Sequence, residues 1–343
     1  MAASASAAPS AWERYSAACR AEDLAGAVAA LETLDWPSLR GDRRLLRLLD
    51  TALAVPESEA GLVGALYERL AGLGLVPSFG VAPAPRVGAV DARELERRTG
   101  LGARQFSPTS SARFLAGGAL ACAGILALAA SLGVDPNPAA AALALAALAD
   151  QVALGGALGD RALRLLVPSY AERVCVHEAG HLVAAYLLGC PVRGVVLSPA
   201  EAMRRRIPGQ AGTIFFDEDL DRGARGQGFT AASVDRWSVV VMAGIAAEAL
   251  RYGQAEGGRA DEAALASVVA ALAPPWTEAQ LRNQARWAAA EAVALLVDHR
   301  DAHDAVVRAL LDAGGGVPRL SDVIAALEDA RPHQSSSSSP SDG

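Results

Sequence analysis

Residues 171–189 read AERVCVHEAGHLVAAYLLG, a helix with chemistry written into it. Val176, Val183, Leu187 and Leu188 give it apolar packing surface, and Gly189 with Pro191 stops it. Inside it, His177-Glu178-Ala179-Gly180-His181 has the form HExxH. Residues four apart on a helix project from one face, one turn above the other, so both imidazoles reach a single cation. Neutral imidazoles suit zinc (Zn2+), which draws the pKa of water bound to it toward about 7, and Glu178 stands beside the first ligand as the base for that water. With only five histidines in 343 residues, chance is a poor source of this pattern.

A catalytic zinc needs a third protein ligand. The metzincin extension asks for glycine at 184 and histidine at 187, where this chain has Ala184 and Leu187, so the ligand comes from further along. Glu248 in MAGIAAEALRYG and Asp261 in GGRADEAAL both lie on predicted helices, with Glu262 behind them. Spacing does not choose among them. Between the motifs, 192–198 (VRGVVLS) and 212–217 (GTIFFD) read as two strands around MRRRIPGQ. Gly212 to Phe215 is a candidate edge strand for an extended substrate backbone, and a plain hairpin packing the zinc helix explains the pattern equally well. His299 and His303 also stand four apart, but Asp298, Asp301 and Asp304 around them predict a charged, solvated face on a packing helix and not a second metal site.

HEAGH, then AGTIFF, then MAGIAAEALRYG, then GGRADEAAL resemble, in sequence and in order, the peptidase domain of FtsH-type membrane proteases, over roughly residues 169–329. The resemblance implies His177 and His181 as zinc ligands, Glu178 as the catalytic base and Asp261, opening a helix after a glycine-containing loop, as the third ligand. It makes Glu248 a support for the zinc helix. FtsH-type proteases carry an ATPase module ahead of the peptidase domain, and this chain does not. All 31 of its basic residues are arginine, so neither a Walker A lysine nor a Schiff-base lysine exists. The chain resembles instead the ATPase-less relatives of plant and algal chloroplasts, which implies a membrane location, the thylakoid among the candidates. It also implies polypeptide substrates that are unstructured or delivered by a partner, an FtsH-type ATPase or further copies of the chain itself. The rival expectation is a non-proteolytic, zinc-stabilised scaffold for such an ATPase, against which the intact Glu178 speaks, because a structural site has no use for a base.

The rest of the chain is read from composition. Hydrophobic residues make up 52% and aromatics 5%, so alanine and leucine dominate and helices are favoured. The formal charge of -7 excludes a phosphate-backbone partner, so no nucleic acid is expected. Cys19, Cys122, Cys175 and Cys190 show neither CxxC nor framework spacing and read as reduced, packed thiols. The opening MAASASAAPSAW has no charged n-region and no apolar core, so it reads as neither a secretory signal nor a transit peptide.

The expected organisation is a mainly α (α+β) chain: a helical N-terminal module at 1–80, a Pro/Gly/Ser/Arg linker at 81–112, a hydrophobic segment at 113–160, a helical peptidase domain with a small β-hairpin at 161–332, and a disordered polar tail at 333–343. Phe114 to Val134 contains no charge and is long enough to cross a hydrocarbon core. Ala139 to Gly159 could return as a hairpin, with Arg104 and Arg113 before the pair and Arg161 and Arg164 after it, although Asp150 interrupts the return.

Overall fold

Short polar side chains start many of the helices: Ser10, Asp23, Asp91, Asp135, Ser198, Asp217, Thr230 and Thr277 each accept a hydrogen bond from a first-turn amide. The computed structural model describes residues 9–34, 36–85, 88–109, 122–133, 135–207 and 211–330. In chain order the helices are α1 (Ala11–Arg20), α2 (Leu24–Glu32), a 3-10 run (Arg43–Ala54), α3 (Gly61–Gly72), α4 (Ala92–Thr99), α5 (Cys122–Ser131), α6 (Pro136–Ala153), α7 (Ala157–Leu166) and α8 (Pro168–Leu187). Then follow β1 (Val192–Val196), α9 (Pro199–Arg204), β2 (Gly212–Phe215), α10 (Glu218–Arg222), α11 (Ala231–Tyr252), α12 (Arg259–Ala270), α13 (Glu278–Asp298), α14 (Arg300–Asp312) and α15 (Leu320–Asp329). The protein is mainly helical, with one two-stranded antiparallel sheet among the described residues.

Helix α8 is the centre of the core: Leu182 to Leu187 are all essentially inaccessible. Helix α11 runs along one side of it and α14 packs on another. The first contact is unusually close because both helices present small residues. A Cβ placed on Gly180 would lie 2.5 Å from Ala243 O and 2.9 Å from Ala247 Cβ, so only glycine lets α11 approach the HExxH turn. Without that seam, Asp261 could not be brought to the two histidines.

The strands are shorter than the sequence suggests, ending at Val196 and Phe215. Ser198 and Asp217 leave the ladder because they cap α9 and α10. Val196 pairs with Gly212, Val195 with Thr213 and Gly194 with Ile214, and a bulge at Arg193 precedes the pairing of Val192 with Phe215.

The N-terminal helices share one continuous core with the rest of the chain. Tyr67 donates to Val192 O at 2.9 Å, Ser78 donates twice to Glu328, and Ser321 donates twice to Asp50. The stretch expected as a linker is also anchored. Gly80 N and Ala82 N donate to Tyr186 O and Leu187 O at the end of α8, and Val90, Leu95 and Phe106 are buried. Its proline and glycine content is interrupted by these three apolar residues, each of which finds a hole in the core; composition alone hides those interruptions.

Residues 114–121, residue 134 and all of the tail lie outside the described residues. Among those described, no single helix is long and apolar enough to cross a membrane. The expected return segment 139–159 is broken: α6 ends at Ala153, and Gly155 and Gly156 turn the chain at positive φ. Asp150 is buried, and its two oxygens accept from Leu158 N and Gly159 N at 2.9 Å, so the carboxylate that interrupts the apolar run caps α7.

Candidate metal centre

His177 and His181 face inward from α8, 8% and 7% exposed. Each uses its Nδ1 on a fixed acceptor. His181 Nδ1 donates to Val240 O at 2.7 Å, and a carbonyl can only accept, so this nitrogen carries the proton. His177 Nδ1 lies 2.9 Å from Glu248 Oε1. Glu248 is pinned as a carboxylate: burial works to raise its pKa, but His177 and the amides of Glu256 and Gly257 overcome that and lower it. Arg173 donates to its other oxygen at 2.9 Å. In the neutral tautomers both Nε2 atoms are therefore bare lone pairs.

These lone pairs point at each other and at Asp261. His181 Nε2 lies 3.0 Å from His177 Nε2 and 3.5 Å from Asp261 Oδ2, which is 2.9 Å from His177 Nε2. Three acceptors so arranged are tenable only with a cation among them, a proton or a metal. A proton serves two of them. A metal serves all three, and a tetrahedral zinc with bonds of about 2.0–2.1 Å has ligand–ligand edges of about 3.3 Å. The three observed separations bracket that value, so the donor set fits zinc in chemistry and in size. Glu248 stands behind His177 and not among the three. Glu262 is likewise no part of the group.

Gly244 on α11 floors the cluster. A Cβ there would sit 2.4 Å from His181 Nε2 and 2.6 Å from His177 Nε2. Gly244→Ala is expected to destabilise the fold by about 1–3 kcal/mol and to abolish metal retention. Metal content after gel filtration, together with the urea midpoint, checks this.

Glu178 opens, with His177 and Asp261, on a cleft of about 460 Å3. Thr213 Oγ1 of β2 lies 2.9 Å from Glu178 Oε2 and 3.0 Å from its backbone oxygen, which ties the edge of the hairpin to the base. Thr213 lies in the candidate edge strand, but its link to Glu178 is not legible in the sequence, and Gly244 is not marked as functional there at all. Gly244 sits in the small-residue run AGIAA, and the signal that could have found it is a glycine on the face of α11 that must meet HExxH.

No family model, no curated protein and no solved structure matches the chain. The site is read from its own chemistry. His303 departs from the solvated face expected of it: it is 8% exposed, and its Nε2 donates to Val176 O at 3.1 Å, behind the HExxH helix. Burial lowers its pKa, which keeps that donor neutral.

In the metal-free chain, burial opposes charge on His177, yet Asp261 and Glu248 outweigh it and hold the pKa well above the ordinary imidazole range. His181 is also raised, against its burial, chiefly by Asp261. Burial works to raise Asp261 in turn, but the two imidazoles hold it far below the carboxylate range. A raised histidine contributes stability that is complete below its unfolded pKa of about 6.5 and is lost as pH rises through the folded value. The lowered Asp261 contributes above about 3.9 and is lost as pH falls through its own folded value. The chelated protein is therefore expected to melt at progressively lower temperature as pH is raised from about 6 to about 9, and bound metal, replacing the lost proton, removes that decline. Parallel melts with chelator and with zinc check it; equal slopes would count against the cluster.

Proposed function

We propose that the chain is a membrane-associated zinc metalloendopeptidase of FtsH-like type that works without an ATPase module of its own. The observation that carries this reading is the convergence of His177 Nε2, His181 Nε2 and Asp261 Oδ2 beside a carboxylate, Glu178, that holds no ligand position and opens on the same cleft. A zinc-stabilised scaffold needs the first part of that arrangement and not the second.

Zinc in this position supplies acidified water and polarises a peptide carbonyl. The chain's own residues do the rest. Thr213 occupies Oε2 of Glu178, leaving Oε1 to take a proton from water and hand it to the departing amine. The tautomer of each histidine is fixed from behind by Val240 O and Glu248, so neither ring must reorganise during the reaction. Strand β2 is paired with β1 on one side only, so its outer backbone edge, at Thr213, can align an extended polypeptide beside the base. Main-chain pairing gives affinity with little side-chain selection, which suits unstructured segments.

The membrane part of the reading rests on apolar side chains left in the open. Leu128 and Leu132 at α5, Leu145 and Val152 on α6, and Leu165 and Leu166 at the end of α7 are each more than half exposed. Such a set on neighbouring helices is the kind of surface that lipid covers. An ATPase partner, where one acts, is a separate chain.

The purified, zinc-loaded chain is expected to cleave a casein-like unfolded polypeptide without ATP, to stop on chelation and to recover with zinc. Full zinc occupancy with no cleavage, and stable co-purification with an ATPase, would favour the scaffold instead. Carbonate washing of membranes should leave the protein in the pellet.

A further inference from the structure

The N-terminal helices show more apolar surface than the core beneath them uses. Helix α2 buries Ala27, Ala30 and Leu31, and α3 buries Val63, Tyr67 and Leu70. Each helix also carries a second apolar face. On α3 it is Leu62, Ala65 and Leu66, at i, i+3 and i+4, and on α2 it is Leu24, Ala25, Val28 and Ala29, so both run along their helices as stripes. Both helices rest on the 3-10 run, and the two stripes wall a groove of about 770 Å3 floored by Leu48 and Val55. The floor is buried, but Leu62 is 50% exposed and Ala25, Ala29 and Ala65 are open to solvent.

The rim of the groove has one sign. Four acids, Glu22, Asp23, Glu32 and Glu59, line it beside a single arginine, Arg69. Glu22 and Asp23 stand before one end of α2 and Glu32 closes the other, while Glu59 precedes α3. Glu22 is answered by Arg205, and Asp23 caps α2. Glu32 and Glu59 are exposed and make no ion pair or hydrogen bond with a described residue. An anionic lipid or a nucleic acid is repelled by such a rim, whereas a cationic guest is steered to it. No strand lines the groove, so a polypeptide in it finds no ladder and must satisfy its own backbone, which a helix does.

We propose that this groove docks one amphipathic helix of a partner polypeptide, its apolar face laid between α2 and α3 and its flanks carrying arginine or lysine toward Glu32 and Glu59. The α3 wall, 12 residues long, spans about 18 Å, so the guest contributes about three turns. The exposed alanines keep the walls low, which lets the guest backbone come close. The groove shares no lining residue with the metal cleft, and the proposal stands or falls without the peptidase chemistry.

The test is fluorescence anisotropy of a labelled helical peptide of about three turns, with leucine at i, i+3, i+4 and i+7 and arginine on the flanks, titrated with the full, zinc-loaded chain. A second peptide carries glutamate in place of every arginine. Wild type is expected to bind the arginine peptide saturably at one site and the glutamate peptide at least about tenfold more weakly. Leu62→Asp, with its fold checked by circular dichroism, should abolish binding, and Glu32→Arg/Glu59→Arg should invert the preference between the peptides. Val297→Asp, at a comparably exposed apolar position on α13, should change neither affinity, and chelation of the zinc should leave both as they were. Absence of saturable binding, equal affinity for the two peptides, or binding that survives Leu62→Asp overturns the proposal. So does a wild-type dimer that Leu62→Asp converts to monomer, which would seat a second copy in the groove, and so does capture of phosphatidylcholine vesicles that the same substitution removes, which would seat lipid there.

Discussion

Glu178→Gln is expected to lower kcat/KM for peptide hydrolysis by about 10²–10⁴-fold while leaving zinc content at the wild-type level. The amide has the shape of the carboxylate and keeps an oxygen for the hydroxyl of Thr213, so the hairpin stays where it is. It has no basic oxygen for a proton. Glu178 is outside the three-atom cluster, and the histidines are oriented by Val240 O and Glu248, so the metal has no reason to leave. The measurement is steady-state cleavage of an unfolded substrate beside metal analysis of the same preparation. Wild-type turnover in a variant free of native enzyme would remove Glu178 from the mechanism. Loss of zinc would make the carboxylate a ligand and not the base.

The second large effect separates two acids that sequence leaves side by side. Asp261→Asn takes the only anion from the three converging donors and replaces it with a weak neutral one, so zinc should be lost on dialysis. Glu248→Gln leaves the donors in place and weakens only the hold on His177, a change worth about 10–100-fold in metal affinity, so zinc should persist at saturating concentration. Both substitutions cost stability. Glu248 is 2% exposed and answers Arg173, His177 and two backbone amides, and removing its charge leaves Arg173 with its longer contact to Glu256. Asp261 is the anion that raises both imidazoles in the metal-free chain, so its loss lowers the urea midpoint as well. Zinc stoichiometry is therefore the measurement that separates the two variants. Zinc retained by Asp261→Asn, or lost from Glu248→Gln at saturating concentration, would break the assignment of ligand and support.

The hairpin, the small-residue helix and the HExxH helix are all legible as patterns because each is set by residues a few positions apart. The anchored segment at 81–109 was not, because Leu95 and Phe106 look like stray apolar residues until α13 and α11 supply the surfaces that bury them. His303 was misread for a related reason: three aspartates nearby in sequence suggested water, while the backbone oxygen that captures its ring belongs to Val176, 127 residues away.

The same division runs through the site. Helical periodicity is local, and it alone put His177 and His181 on one face and Glu178 beside them. Nothing local could decide that Asp261, 84 residues beyond His177, brings its oxygen to the two Nε2 atoms while Glu248, 71 residues beyond, holds the ring from behind. That choice was made by α11, with α12 packed on it, settling against α8 across Gly180 and Gly244, where the absence of two Cβ atoms lets the backbones approach closely enough for one acid to reach Nε2 and the other Nδ1.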